Sequence, residues 1–204
     1  VFSLSFMLGN YHSQEINHEK NYTRAKLKGM FIYSFSKNIY WDEEDNQCDE
    51  FIFGFLNNDT LYNQFSKNYN DKLIGEKKIT AKYFENIEEV DENVSILYLG
   101  SPKKEDILNE VNKKFKNKPI VTIGDEWPFN SVSINFIYIQ SRLKFSVNQN
   151  DFKKKNLIVG NTLLKLNFQV ENSSKEERRV MMDYTKKFLQ EKETKQRWES
   201  SDYL

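Results

Sequence analysis

The chain has 204 residues, enough for one domain with extensions or for two very small domains. Aromatic residues make up 15% of it, with 16 Phe and 11 Tyr, so it has enough apolar material for a core, which argues against a disordered chain. Thirty basic and thirty acidic residues cancel, and the composition therefore lacks the electrostatic footprint of a protein that binds nucleic acid or an anionic membrane.

The first residues have the features of a secretory signal peptide. A short apolar run over residues 1–8 is followed by a small and polar stretch, and the run is too short to span a bilayer as it stands. We therefore expect residues 1–13 to be the remnant of a signal peptide, with cleavage between Ser13 and Gln14. The protein would then be exported to the periplasm. The alternative is that the run forms a buried first strand.

A helical pattern follows the N-terminal run. Apolar residues at three- and four-residue spacing predict one long helix over residues 17–41. The predicted apolar stripe follows Leu27, Met30, Phe31, Ser34, Phe35 and Asn38, and Ala25 and Ile32 widen it together with Phe31 and Phe35.

Strand and helix patterns then alternate along the chain. Strands are predicted over residues 51–56, 77–84, 94–99 and 119–124, and a hairpin over residues 134–147 with a polar joint at 140–142. Helices are predicted to begin at residues 57–60 and at Ser101. This order predicts an α/β domain over residues 14–170, a three-layer sandwich whose Rossmann-like, mostly parallel sheet ends in an antiparallel hairpin.

The C-terminal residues 171–204 differ in composition from the domain. Ser174 and Glu177 fit a capping box, and the Glu-, Lys- and Arg-rich stretch after them predicts an amphipathic or coiled-coil helix. Its apolar stripe consists of Met181 (or Val180), Tyr184 and Phe188, which we expect to pair two chains in a homodimer. The alternative is a solvated terminal helix with a frayed end.

The residues that usually carry catalysis are scarce. His12 and His18 are the only histidines and both lie before the core of the predicted domain, while Cys48 is a lone cysteine in an acidic setting. No glycine-rich phosphate-binding motif is present, and the acidic loops lack the spacing of a calcium site. The sequence therefore predicts no catalytic residues, no metal and no cofactor.

One candidate recognition site follows from the predicted topology. Ligands of open α/β sheets bind outside the carboxyl ends of the parallel strands. The residues at those ends are Asn57, Asp59, Ser101, Asp125, Glu126 and Trp127. Trp127 is predicted to be an exposed aromatic anchor for a small ligand or a protein partner. The alternative is that Trp127 and Phe129 both pack over the end of the sheet.

Several segments, in this order, resemble the YfiR family of periplasmic regulatory domains. An opening helix that ends at Trp41, an apolar first strand at 51–56 and a Gly-containing loop at 73–79 are similar to the family pattern. Later segments that resemble it are residues 96–99, 119–125, 142–148 and 163–166. The chain departs from the family at Val132-Ser133, where a Gly-Gly pair is usual, and in lacking the family's paired cysteines.

The resemblance implies a non-enzymatic periplasmic regulator or sensor. Members of the family restrain an inner-membrane diguanylate cyclase, which makes cyclic-di-GMP, or occur as the sensing part of a histidine kinase. Neither role requires catalysis, and redox control through disulfides within the domain does not carry over. The competing interpretation is a periplasmic protein that binds a small ligand. A hydrolase would lack the residues to perform its chemistry.

Overall fold

The computed structural model describes residues 22–41, 49–101, 107–115, 118–139 and 142–167, together with Arg179. The predicted signal-peptide remnant and the predicted dimerisation stripe at Met181, Tyr184 and Phe188 lie outside the described residues. The predicted boundaries of the domain, residues 14 and 170, also lie outside the described residues. Within the described ranges, no helix combines the length and the apolar character needed to cross a bilayer.

The described chain alternates between strands and helices. The strands are β1 (Ile39–Tyr40), β2 (Glu50–Leu56), β3 (Leu73–Ile74), β4 (Lys77–Phe84), β5 (Val94–Gly100), β6 (Val121–Asp125), β7 (Ile134–Ile139), β8 (Arg142–Val147) and β9 (Ile158–Val159). The helices are α1 (residues 22–36), α2 (Asp59–Tyr69), α3 (Ile107–Lys114), α4 (Gln149–Lys154) and α5 (Asn161–Leu166), with one 3₁₀ turn at Ile87–Glu89.

Seven of these strands form the central sheet, in the order β3-β4-β2-β5-β6-β7-β8. The five strands from β4 to β7 are parallel, whereas β3 and β8 pair antiparallel at the two edges. The remaining strands, β1 and β9, form a separate antiparallel pair. The predicted α/β class is therefore confirmed, as is the mostly parallel sheet that ends in a hairpin.

Helices cover both faces of the sheet, because the inner strands are apolar on both sides. In β2, Phe51, Phe53 and Phe55 point into one core, which contains residues of α1 and α2. Ile52 and Leu56 point into the opposite core, which contains Val111 of α3. A continuous apolar run is the pattern expected of a parallel strand buried on both faces. This arrangement is the predicted three-layer sandwich.

Helix α1 differs from its prediction in length and in orientation. It ends at Ser36, and Ile39–Tyr40 leave the helical path to pair with β9. Its buried side chains are Ala25, Lys28, Ile32, Phe35 and Ser36, whereas Leu27 and Met30 are 40% and 52% exposed. The helical period was correct, and Ala25, Ile32 and Phe35 of the predicted stripe are buried, but its centre was misplaced toward the exposed Leu27 and Met30. The reason is that a lysine, which looks like a surface residue in the sequence, occupies the buried stripe.

Candidate functional site

A polar cleft lies at the edge of the sheet where β2, β5 and β6 end. We call it the edge cleft; its volume is about 520 Å³. Five of the six residues predicted for the recognition site line it: Asn57, Asp59, Ser101, Asp125 and Glu126. The structure thus brings together side chains that are up to 69 positions apart in the sequence, which follows from the parallel order of the three strands.

A residue with left-handed backbone geometry stands at the end of each of these strands, either as the last residue of the strand or directly after it. The φ angles are +48° at Asn57, +68° at Gly100 and +60° at Glu126. Such angles turn the chain sharply away from the sheet, and for a non-glycine residue they are uncommon. The turns leave the residues that follow the strands at the rim of the edge cleft.

Helix α2 begins at the rim of the edge cleft. The side chain of Asn58 caps it by accepting a hydrogen bond from the backbone N–H of Leu61 at 3.0 Å. Asp59 accepts a second hydrogen bond from the backbone N–H of Thr60 at 2.6 Å. A carboxylate at this position is favoured by the positive end of the helix dipole. The predicted helix start near residues 57–60 is confirmed.

Among the other residues that line the edge cleft, the sequence prediction missed the four with cationic or phenolic side chains: Arg24, Lys28, Tyr98 and Tyr138. The ammonium of Lys28 forms a buried ion pair with Oδ2 of Asp125. The hydroxyl of Tyr98 donates a long hydrogen bond of 3.5 Å to the same oxygen. One signal in the sequence pointed to Lys28, since it lies three residues after Ala25 and four before Ile32 on the buried face of α1.

Tyr138 lies between two cations and a carboxylate. The guanidinium carbon of Arg24 is 5.0 Å from the centre of its ring, and the ammonium of Lys28 is 5.6 Å away. Burial, and then the negative charge of Asp125, raise the pKa of Tyr138 to about 12. The same two causes hold the pKa of Tyr98 well above its usual value. Both phenols are therefore neutral at physiological pH and can donate hydrogen bonds.

Trp127 is not the exposed anchor that the sequence predicted. Its side chain is 1% exposed and packs in the core on the α3 side of the sheet. Its indole N–H donates to the carbonyl of Gly100 at 2.7 Å, and its backbone N–H donates to Asn135 at 3.0 Å. The alternative, in which Trp127 and Phe129 both pack over the end of the sheet, agrees with the burial of Trp127 but not with the exposure of Phe129. Nearby Phe129 is the exposed aromatic of this loop, at 41%.

The Val132-Ser133 pair is buried and belongs to the interior. Ser133 is fully buried, and its hydroxyl donates to Asp151 at 2.5 Å while accepting from Lys155 at 3.1 Å. Thr122 on β6 also contacts this hydroxyl, at 3.1 Å. Burial lowers the pKa of Lys155, and Asp151 partly offsets that effect. At this position, side chains and an internal polar network take the place that a Gly-Gly pair would leave open.

The edge cleft holds polar and charged groups of the kind that can recognise a ligand. It offers carboxylates, amides, hydroxyls and two cations. In the part of the chain that the structure describes, no cluster of three His, Cys, Asp or Glu residues is placed to hold a metal ion. The arrangement is suited to binding a small polar molecule, or a polar segment of a partner, through hydrogen bonds and charge.

Comparison with known proteins places this architecture in a family. A model of the YfiR/HmsC-like family matches residues 25–167, which include all of the central sheet. A search of curated proteins gave no significant match. Domains of this family are regulatory and non-catalytic, and they are typically periplasmic. The family resemblance inferred from the order of the sequence segments is thus confirmed, and the chain belongs to the YfiR/HmsC-like family.

Proposed function

We propose that this protein is a non-enzymatic periplasmic regulator or sensor that restrains an inner-membrane signalling protein. The restrained protein would be a diguanylate cyclase or a histidine kinase. The observation that carries this proposal is the family match over residues 25–167, because it covers the complete sheet and both of its helical layers. A role of this kind requires a surface that changes with a signal and requires no catalytic residues.

The edge cleft is the surface that we assign to recognition. It collects Asn57, Asp59, Ser101, Asp125 and Glu126 from three neighbouring strand ends. Changes at this edge reach α1 directly, because the buried ion pair joins Lys28 of α1 to Asp125. Binding at the cleft would thus act on the position of a helix that packs, beside α2, on one side of the sheet, and a partner protein would sense that position.

The second candidate function is a periplasmic small-ligand-binding protein without a signalling partner. The size of the edge cleft favours it, since about 520 Å³ falls within the range of pockets that enclose small molecules. The two functions differ in one consequence. A regulator changes the output of a membrane signalling protein when its gene is removed, whereas a ligand carrier changes uptake or tolerance of its ligand.

A deletion experiment in the native host tests the regulatory function. We expect deletion to raise cyclic-di-GMP, measured with a cellular reporter, or to activate a histidine-kinase output measured by phosphorylation. The wild-type gene should restore repression, and so should a control Glu88→Gln variant, whose exposed side chain lies outside the edge cleft. A double variant with Asp59→Asn and Glu126→Gln should restore less repression at equal protein level. Unchanged cyclic-di-GMP and kinase output after deletion would refute the proposal.

Export is a separate part of the proposal and has its own test. It is supported by the apolar run at residues 1–8 and by the typical location of the family. Protein purified from the periplasmic fraction should begin near Gln14 on N-terminal sequencing. Protein found only in the cytosol, with residues 1–13 retained, would exclude export.

Dimerisation through the C-terminal residues is the last part of the proposed function. It is supported by the helical spacing of Met181, Tyr184 and Phe188. Removal of residues 172–204 should convert a dimer into a folded monomer, as judged by light scattering and circular dichroism. A monomeric full-length protein would contradict pairing through this stripe.

A further inference from the structure

Helix α1 carries an apolar strip on its exposed side. Leu27 and Met30 are 40% and 52% exposed, and their three-residue spacing makes them neighbours on the helix surface. Phe31 continues the strip toward the sheet, where its ring centre lies 5.8 Å from that of Phe145 on the edge strand β8. Leu143, two residues earlier on β8, is half-buried. We call Leu27, Met30, Phe31 and Leu143 the outer strip.

Unpaired lysines border the outer strip. Residues 22–37 contain four basic side chains and no carboxylate. One of the four, Lys28, is buried in its ion pair. Lys26 and Lys37 are exposed, and neither forms an ion pair with any residue that the structure describes. They lie four residues before Met30 and seven residues after it, which places both on its side of the helix. The outer strip therefore has positive charge along one margin.

This pattern of charge separates the possible occupants of the outer strip. A second copy docked through the same face would bring lysines against lysines, which is unfavourable. The C-terminal residues 171–204 carry eight acidic and eight basic side chains, so they have no net charge to match that of the strip. An anionic membrane takes up apolar side chains that insert below its headgroups. Leu27 and Met30 are each about half covered by neighbouring groups, which suits contact with another helix better than insertion.

We propose that the outer strip docks an amphipathic helix of the signalling partner, in which apolar residues are flanked by Asp or Glu. Its apolar side chains would pack against Leu27, Met30 and Phe31, and its carboxylates would pair with Lys26 and Lys37. An apolar centre with a charged rim is the usual arrangement of protein interfaces, and helices commonly bind in this way. The 15 residues of α1 span about 22 Å, enough for four turns of a partner helix. The inference rests on the proposed function and adds the docking surface and the kind of segment it accepts.

Site-specific photo-crosslinking in the native host tests this surface on the full-length protein. The photoreactive residue p-benzoylphenylalanine replaces Met30 in one protein and Glu88 in the other. Glu88 is exposed in the 3₁₀ turn that packs on the opposite side of the sheet. After irradiation, cross-linked peptides are identified by mass spectrometry. We expect position 30 to cross-link to an inner-membrane signalling protein, within a segment that has apolar residues and carboxylates at helical spacing. Position 88 should give no such cross-link.

A matched pair of charge reversals makes the result specific. Lys26→Glu places a carboxylate beside the outer strip, whereas Lys113→Glu makes the same change at an exposed position of α3. With the photoreactive group at position 30, Lys26→Glu should reduce the cross-link yield about fivefold or more, because an attraction becomes a repulsion. Lys113→Glu should leave the yield unchanged. Circular dichroism verifies that both variants are folded.

The outcomes that would overturn the docking surface are distinct from those that concern regulation. No protein cross-link from position 30, cross-links confined to this chain or to lipid, a partner segment without carboxylates, or equal yields for the two charge reversals would each refute it. The deletion experiment alone decides the regulatory function. If deletion changes the signalling output while position 30 gives none of the expected cross-links, the regulatory function stands and the docking surface falls.

Discussion

Lys28 and Asp125 form a buried ion pair across 97 positions of sequence. Their side chains are 11% and 12% exposed, and they join the first described helix to the end of strand β6 in the central sheet. Taking two charges out of water is costly, and their attraction offsets that cost only while both partners are present. The pair therefore ties α1 to a strand end that lines the edge cleft.

The first prediction is that breaking this pair on one side is more damaging than removing it. Lys28→Met leaves the Asp125 carboxylate buried without its cation and should cost about 3 to 5 kcal/mol of stability in urea unfolding. Adding Asp125→Asn to Lys28→Met should recover much of that loss. Lys118→Met is the matched control, because its 3.4 Å pair with Glu92 is exposed, and it should change stability by at most about 1 kcal/mol. Equal losses for the single and double variants would mean that the effect comes from packing alone.

The second prediction concerns the two aromatic residues of the loop after β6. Trp127→Ala removes a side chain that is 1% exposed and should cost about 3 to 5 kcal/mol in urea unfolding. Phe129→Ala changes a side chain that is 41% exposed and should stay within about 1 kcal/mol of wild type. The same stability for both variants would contradict the burial of Trp127. Because Trp127→Ala damages the core, it is unsuitable as a test of partner binding.

The sequence was sufficient to predict six of the seven strands of the sheet, because strand-length apolar or alternating runs have few alternatives in a chain of this length. The short edge strand β3 (Leu73–Ile74) was missed, because two residues show no pattern and the segment was interpreted as a loop. The predicted strand at residues 77–84 coincides with β4, and the hairpin arm at 134–139 coincides with β7. The grouping of Asn57, Ser101 and Asp125 at one edge also followed, since it requires only that their strands be parallel neighbours. The hydrophobic pattern of the strands was therefore enough to predict the fold and the location of the edge cleft.

What the sequence could not provide was the choice between similar side chains. Trp127 and Phe129 stand in one loop, and pattern alone does not decide which of them turns inward. The decision depends on Gly124, whose missing side chain leaves the space that the indole of Trp127 fills. Lys28 was misplaced for a related reason, because its partner Asp125 is distant in sequence and a lysine alone is expected at the surface.

The third prediction compares two glycines. A Cβ added at Gly124 would lie 2.3 Å from Cδ1 of Trp127, so Gly124→Ala must displace a buried ring. We expect a loss of about 1 to 3 kcal/mol, together with a change in tryptophan fluorescence. A Cβ added at Gly29 of α1 would meet its nearest neighbour at 3.8 Å. Gly29→Ala should therefore raise stability by about 0.5 to 1 kcal/mol through its helix propensity. A neutral Gly124→Ala would show that the indole can move freely.

The fourth prediction is a loss of stability at alkaline pH that depends on Tyr138. Its pKa is about 12 in the folded protein and 10.0 for an ordinary tyrosine, so folding favours the neutral phenol. The unfolded chain releases this proton first as pH rises. The contribution of Tyr138 is therefore constant below pH 10 and declines as pH rises from 10 to about 12. Because the side chain is only partly buried, we expect the loss to be about 1 to 2 kcal/mol.

Tyr138→Phe isolates this contribution, since phenylalanine carries no proton to lose. Urea unfolding at about pH 8 and about pH 11 should give a smaller alkaline loss for Tyr138→Phe than for wild type. Tyr40→Phe is the control, because Tyr40 is 55% exposed on the small β1–β9 sheet, and it should follow the wild-type curve. Identical alkaline losses in wild type and Tyr138→Phe would refute the proposed origin of the shift. The Asp125→Asn variant, which keeps Tyr138, should also lose less stability at alkaline pH than wild type. That result would identify the Asp125 charge as the second cause of the raised pKa of Tyr138, in addition to burial.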